Sequence, residues 1–190
     1  MAATNKPFFK HVFLRTDGLN LPELKLAERF IWEFWRPSPA SMMPRGLPLD
    51  RLKYASRYFV HYLHMYSNRD YGALVVRHQD RLIHYSITSG RYWKTRFMGE
   101  DDIRIGHVWS DPEYRGEKMA SFAIVKIAAS IGRPGRRFWY VVSEDNTAAI
   151  HAAEQAGMVR VAQGMWHRPF GLRLLSSYQI EPAAPLRHPS

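Results

Sequence analysis

The stretch VWSDPEYRGEKMASFAIVKIAA, residues 108–129, decides the fold. Its apolar start reads as a strand that ends at Ser110. A short turn follows, carrying Pro112, Arg115 and Gly116, and a helix is expected at once, from Glu117 to Ile131. The first N–H groups of a helix have no internal partner and carry a partial positive charge. A strand, a tight turn and a helix N-terminus in succession make a place for a pyrophosphate. Gly116 permits close approach or an unusual backbone angle. Arg115 and Lys118 add mobile positive charge. Glu117 suits the helix dipole but repels a phosphate if it faces inward. The alternative is an ordinary turn with solvated charges.

Outward from this stretch, the second half of the chain alternates strands and helices. Residues 103–109 form the strand that feeds the turn. Phe138 to Val142 is a solidly apolar run, suited to a buried central strand. Thr147 to Ala156 is a helix closed by Gly157. Met158–Ala162 and Met165–Arg168 are expected to make a last hairpin across Gln163-Gly164. Ala73–Arg77 and Leu82–Thr88, separated by His78-Gln79-Asp80-Arg81, read as an antiparallel hairpin.

Toward the N-terminus, His11 to Arg15, with Phe8 and Phe9, reads as a first strand. Leu24, Ala27, Ile31, Phe34 and Trp35 follow helical spacing, so a helix is expected over Leu21–Arg36, with Pro22 in its first turn and Pro37 as its stop. Four prolines between Pro37 and Pro48 make a loop. Asp50 then caps an expected second helix, Arg51 to Tyr66, whose aromatic face packs on a sheet. Prolines from Glu181 onward suggest a mobile tail over 181–190. The expected fold is α/β: a mixed sheet flanked by helices, with a helical N-terminal elaboration.

Composition narrows the function. The chain has 190 residues, 46% of them hydrophobic, and a formal net charge of +10. At this length one domain over 1–180 is the default. With no cysteine, a disulfide scaffold, a thiolate nucleophile and a Cys-ligated metal are excluded. No HExxH-like spacing occurs among the histidines, so no metal is expected. GxGxxG, Walker A and GxSxG motifs are absent. The MAATNKPFFK start carries no apolar run typical of a secretory leader, and no run of about 18 apolar residues spans a membrane. A cytoplasmic protein is expected, with the basic charge compatible with a membrane surface. That charge also calls for a phosphate-bearing partner.

The quoted stretch resembles motif A of the GCN5-related N-acetyltransferase superfamily, in which Arg or Gln, two residues, Gly, one residue, then Gly or Ala recur. Arg115 and Ala120 match the ends of that pattern, and Lys118 stands where the family has glycine. A second resemblance follows in order: the strand Phe138–Val142, then Asn146 with Ala149 three residues on, then Gly157-Met158, as in the family's motif B. The resemblance covers roughly residues 73–168. It implies a mostly antiparallel sheet, a core over 71–170 that binds acyl-CoA, and a variable acceptor-side region over about 1–70.

The resemblance further implies direct acyl transfer from acetyl-CoA or another acyl-CoA to an amine, without a covalent enzyme intermediate. It assigns cofactor binding to Val108, Trp109, Ser110, Arg115, Gly116, Glu117, Lys118, Met119, Ala120 and Asn146. Asn146 serves either as helix cap or as partner of the pantetheine arm. Two departures stand out. The tyrosine that serves many members as general acid is Ala153 here. No carboxylate lies on the strand before motif A. His107 is the nearest titratable substitute for a base, since an ordinary imidazole titrates near neutrality; His84 and Glu144 are the other candidates.

The basic, aromatic stretch from Ser89 to Met98 is expected to border the acceptor site, with Tyr92 or Trp93 stacking and Arg91 and Arg96 gripping phosphates; the alternative is a surface loop anchored by its aromatics. A looser likeness to acyltransferases of bacterial polysaccharide loci, carried by Ile83-His84-Tyr85-Ser86, Ile105-Gly106 and Phe170-Gly171-Leu172, makes an amino sugar on a nucleotide the first acceptor candidate. Two other classes compete: a catalytically idle acyl-CoA-binding domain, and a basic protein that binds nucleic acid or anionic membranes. No nucleic-acid motif supports the latter. The last hairpin and the apolar helices are compatible with a homodimer.

Overall fold

A computed structural model describes residues 10–47, 59–167 and 177–182 of the chain. Their strands form one sheet of eight, in the spatial order β2-β3-β4-β5-β6-β1-β7-β8. In chain order these are β1 (Lys10–Thr16), β2 (Ile31–Trp35), β3 (Gly72–His78), β4 (Arg81–Ser89), β5 (Ile103–Ser110), β6 (Phe138–Ser143), β7 (Val159–His167) and β8 (Ser177–Pro182). Helix α1 (Met119–Ile131) links β5 to β6, and α2 (Thr147–Gln155) links β6 to β7. Every neighbouring pair is antiparallel except β5 and β6. Only that pair needs a helical crossover, and α1 supplies it.

Alternation along the strands sorts the core into layers. Ile103, Ile105, Phe138, Tyr140 and Val142 pack with α1, through Ala123, Ile124 and Ile127, on one face. Phe13, Trp139 and Ala162 pack on the other, as do Tyr85 and Ile87 in a neighbouring cluster. Arg136 pins the start of the parallel pair. It is 1% exposed. It donates to the Ile131 carbonyl at the end of α1, at 2.6 Å, and to Asp70 Oδ2 at 2.6 Å and Asp101 Oδ1 at 2.9 Å. Asp102, buried beside it, accepts from the indole N–H of Trp139 and the amide of Gly99, both at 2.7 Å.

The structure differs from the sequence reading at three places. Leu21–Arg36 is not a helix: residues 21–27 are extended and Ile31–Trp35 pairs with β3 as β2. Phe34 packs on the α1 face and Trp35 on the opposite one, a period of two that the aromatic run disguised as helical spacing. The hairpin expected across Gln163-Gly164 is one continuous strand, β7. Gly164 is there for close approach, since a Cβ would lie 2.4 Å from the Gln179 carbonyl. Glu181 and Pro182, expected in the tail, belong to β8. The helix expected over Arg51–Tyr66 is helical at 59–62, and its remainder through residue 58, with the Asp50 cap, lies outside the described residues. Residues 183–190 and the Phe170-Gly171-Leu172 run lie outside them too.

No helix among the described residues is long and apolar enough to cross a membrane. Arg136 supplies the test of this architecture. Replacing it with Ala leaves two carboxylates without their buried cation, and breaking a buried pair costs about 3–5 kcal/mol. Urea unfolding of Arg136→Ala is expected to show a loss of that size, and an unchanged midpoint would contradict the assigned role.

Candidate active site

The site starts from a separation of strands. β5 and β6 pair at Ile103–Phe138, Arg104–Trp139 and Ile105–Tyr140, and then part. Beyond that point β6 stays on β1 and β5 stays on β4. A bulge on β5 helps to turn it away: Ile87 faces Gly106 and Tyr85 faces Trp109, so an extra residue is accommodated between them. His107 takes up the bulge with φ at +49°. From Gly106 to Ser110, β5 makes no pair with β6.

On the α1 side, the gap opens into a cavity of about 700 Å³. Val108, Trp109, Ser110, Arg115, Gly116, Lys118, Met119, Ala120 and Asn146 line it. Of the expected cofactor-binding residues, Glu117 alone is missing from the lining. Arg29 holds its carboxylate, which draws the acid nearest the helix start away from the helix amides. The helix begins at Met119, two residues later than the sequence suggests. Gly116 has φ at +88° and Lys118 has φ at +55°, and neither left-handed residue can continue a right-handed helix. A Cβ on Gly116 would meet nothing within 4 Å, so backbone angle rather than crowding requires glycine there. Lys118 shows why a glycine suits its position as well: the turn imposes a left-handed angle on it. No side chain caps α1, so its first amides remain available to an anion.

The same cavity is walled by α2 and β6. Asn146 accepts a bond from the Ala149 amide at 3.1 Å, and so is the cap of α2 while also lining the cavity. Tyr140 reaches the cavity from β6, and burial pushes its phenol up to about 12. Tyr114 also lines it, but its hydroxyl is held 2.9 Å from His78 Nδ1. Ala153 is fully buried in the core and does not line it.

A second cavity, of about 270 Å³, lies across the sheet. Gly106, His107 and Arg104 of β5 form part of its wall, with Tyr92, Trp93 and Lys94 from the loop after β4. Thus consecutive residues of the bulged strand serve opposite faces, His107 one and Val108 the other. Of the expected acceptor residues, the aromatic candidates Tyr92 and Trp93 line this cavity and the two arginines do not. Arg91 bonds the Met98 carbonyl at 3.4 Å and lies 3.8 Å from Glu100, and Arg96 is solvent-exposed away from the cavity. Arg104 was visible in the sequence only as the polar residue of an apolar strand.

The three candidate proton acceptors separate. His107 is exposed at the bulge and lines the smaller cavity. Glu144 lines a different pocket, with His151, Glu154 and Arg160. His84 is fully buried, with Nδ1 at 2.7 Å from Ser110 Oγ and Nε2 at 2.9 Å from Ser86 Oγ. Burial alone lowers its proton affinity to about 3. It braces Ser110, at the lip of the larger cavity, as a neutral ring. Among the described residues no three His, Asp or Glu side chains converge as a metal site.

Comparison with solved structures identifies this architecture. The chain has the GCN5-related N-acetyltransferase fold. It superposes on an acetyltransferase of that family from Novosphingobium aromaticivorans with a TM-score of 0.52, at 14% identity, over 93% of this chain and 66% of that one. It matches a tandem member from the clavulanic acid biosynthesis pathway with a TM-score of 0.57, at 16% identity, over 94% of this chain and 54% of that one. A glucosamine N-acetyltransferase region of a fungal multi-domain protein gives 0.50, at 16% identity, over 82% of this chain and 20% of that one. The chain thus spans two thirds or less of the length of these structures. No family model and no curated protein matches it.

The state of His84 has a consequence for stability. The unfolded chain protonates this ring near its ordinary value of 6.5, whereas the folded one resists until about pH 3. Its contribution is therefore complete above 6.5 and lost as pH falls toward 3, at about 1.4 kcal/mol per pH unit. Denaturant midpoints measured from pH 7.5 to pH 4.5 are expected to fall more steeply for the native chain than for His84→Asn. Equal slopes would show that the ring is not held neutral.

Proposed function

We propose that this protein transfers an acyl group from acetyl-CoA, or another acyl-CoA, to a primary amine. The observation that carries this reading is the pair of cavities flanking β5 where it parts from β6, one lined by Gly106 and His107 and the other by Val108, Trp109 and Ser110. The larger one suits the nucleotide thioester. Its diphosphate would meet the uncapped amides at the start of α1, with Arg115 and Lys118 beside them. Its pantetheine arm would run along the edge of β5 that does not pair with β6. When bound, the thioester supplies an activated acyl carbon.

The residues of the chain then divide the work. The β5 amides at the gap polarise the carbonyl by hydrogen bonding. His107 takes the proton that the amine must lose, from the acceptor side. Nitrogen attacks the carbonyl carbon, the carbon–sulfur bond breaks, and the electron pair leaves with sulfur. Tyr140, kept protonated by burial, is the phenol that can hydrogen-bond the departing sulfur, in place of the tyrosine missing at Ala153.

An amino sugar is the first acceptor candidate. The likeness to a fungal glucosamine N-acetyltransferase region supports it, as do the aromatic walls of the smaller cavity. The volume there favours a sugar over a whole nucleotide sugar. Nucleic-acid or membrane binding has no comparable feature in its support.

Calorimetry is expected to show acetyl-CoA binding, and an amine panel is expected to release free thiol. His107→Gln is expected to lower kcat by about 10²- to 10⁴-fold without weakening acetyl-CoA binding. No heat with millimolar acetyl-CoA, or full activity in His107→Gln, would contradict the assignment.

A further inference from the structure

The smaller cavity carries information about the acceptor that the acyl-transfer reading, on which this inference rests, does not supply. Nε of Arg104 and the indole Nε1 of Trp93 are among the buried side-chain donors that make no hydrogen bond. Both belong to residues that line this cavity. A buried donor without an acceptor costs about 1–3 kcal/mol, so such groups are rare unless something completes them. Both can only donate, so what completes them must accept.

Arg104 is the sharper of the two. Its Nη1 donates to Tyr92 Oη at 3.3 Å, and it has no carboxylate partner among the described residues. The guanidinium lies beside Gly106, its Nε, Cζ and Nη2 within 3.8 Å of where a Cβ would be. Glycine there leaves room for it in the cavity wall that Arg104 shares with His107. Lys94 lines the same cavity, its ammonium 5.9 Å from the Trp93 ring centre, and among the described residues no Asp or Glu lines it. A half-buried, uncompensated guanidinium is a poor neighbour for an acceptor bearing only an amine, because the amine arrives as a cation. It is a good neighbour for one that brings its own anion.

We infer that the acceptor is a small primary amine that also carries an oxyanion, a phosphate or a carboxylate, bound by Arg104 with Trp93 and Lys94 beside it. The amine is thereby directed to His107 at the gap. A phosphorylated amino sugar has this chemistry, and so does an amino acid with an apolar side chain. Either would set its ring or apolar body against Tyr66 and Tyr92.

The test compares matched pairs that differ in the oxyanion. Glucosamine 6-phosphate is set against glucosamine, and phenylalanine against phenethylamine, with native protein, Arg104→Gln and Arg104→Lys. Both thiol release from acetyl-CoA and direct calorimetric binding in the presence of free CoA are read. The native protein is expected to prefer the anionic member of at least one pair, and which pair responds distinguishes phosphate from carboxylate. Arg104→Gln is expected to reduce that preference by about 10- to 100-fold, with Arg104→Lys intermediate and acetyl-CoA affinity unaltered. Preference for the neutral members, no binding of either pair, or equal loss for both members in Arg104→Gln would overturn the inference. Arg104-dependent binding of the anionic member without any thiol release would instead uphold the anion site and refute acyl transfer.

Discussion

Two neighbouring strands that part lose the ladder of hydrogen bonds between them, and the rest of this structure depends on where β5 and β6 do so. Three residue pairs join β5 to β6, and then the strands diverge. The divergence is held open from both sides. Behind it, Arg136 and Asp102 lock the beginnings of the two strands to the end of α1 and to Trp139. Ahead of it, the bulge at His107 and the pairing with β4 carry β5 away, while β1 keeps β6 straight. The placing of the helix start and of the two cavities beside β5 follows that separation. A sheet that stayed paired through Ser110 would fill the space between β5 and β6.

The turn that follows β5 works under a related constraint. It must reverse the chain into α1 and still present amides without covering them. Left-handed angles at Gly116 and Lys118 do this, and the 3-10 turn at Pro112–Tyr114, capped by Asp111, precedes them. Positive φ at a lysine is strained, and such strain is retained where surrounding structure fixes it. The charges are arranged to suit an anion. Arg29 withdraws Glu117, Arg81 binds Asp111 and Glu113, and Arg115 and Lys118 are left with no carboxylate partner among the described residues. On the other face Arg104 is left in the same condition.

The second half of the fold was legible in the sequence because its signals are local. The β3–β4 hairpin, the strand–turn–helix at Ser110–Met119, and β6 with the Asn146 cap each announce themselves by turn residues and apolar runs. The N-terminal part was not, because Trp32, Phe34 and Trp35 satisfy helical and strand spacing alike, and only pairing with β3 decides between them. Gly164 misled for a similar reason: glycine marks turns, but also places where another backbone comes close. At the site, motif spacing located the residues around the larger cavity. It could not find Tyr140 or Arg104, whose importance lies in which face of the sheet each takes and which cavity that face lines, nor could it show that His84 is sealed between two serines.

The most direct test of the separated strands as a thioester site is amide hydrogen exchange, followed with and without acetyl-CoA. The amides of residues 119–121, and those of 106–110 that do not bond β4, are expected to slow together on adding the thioester, while those of β7 stay unchanged. Equal exchange in both states, or slowing confined to residues far from the gap, would contradict the account.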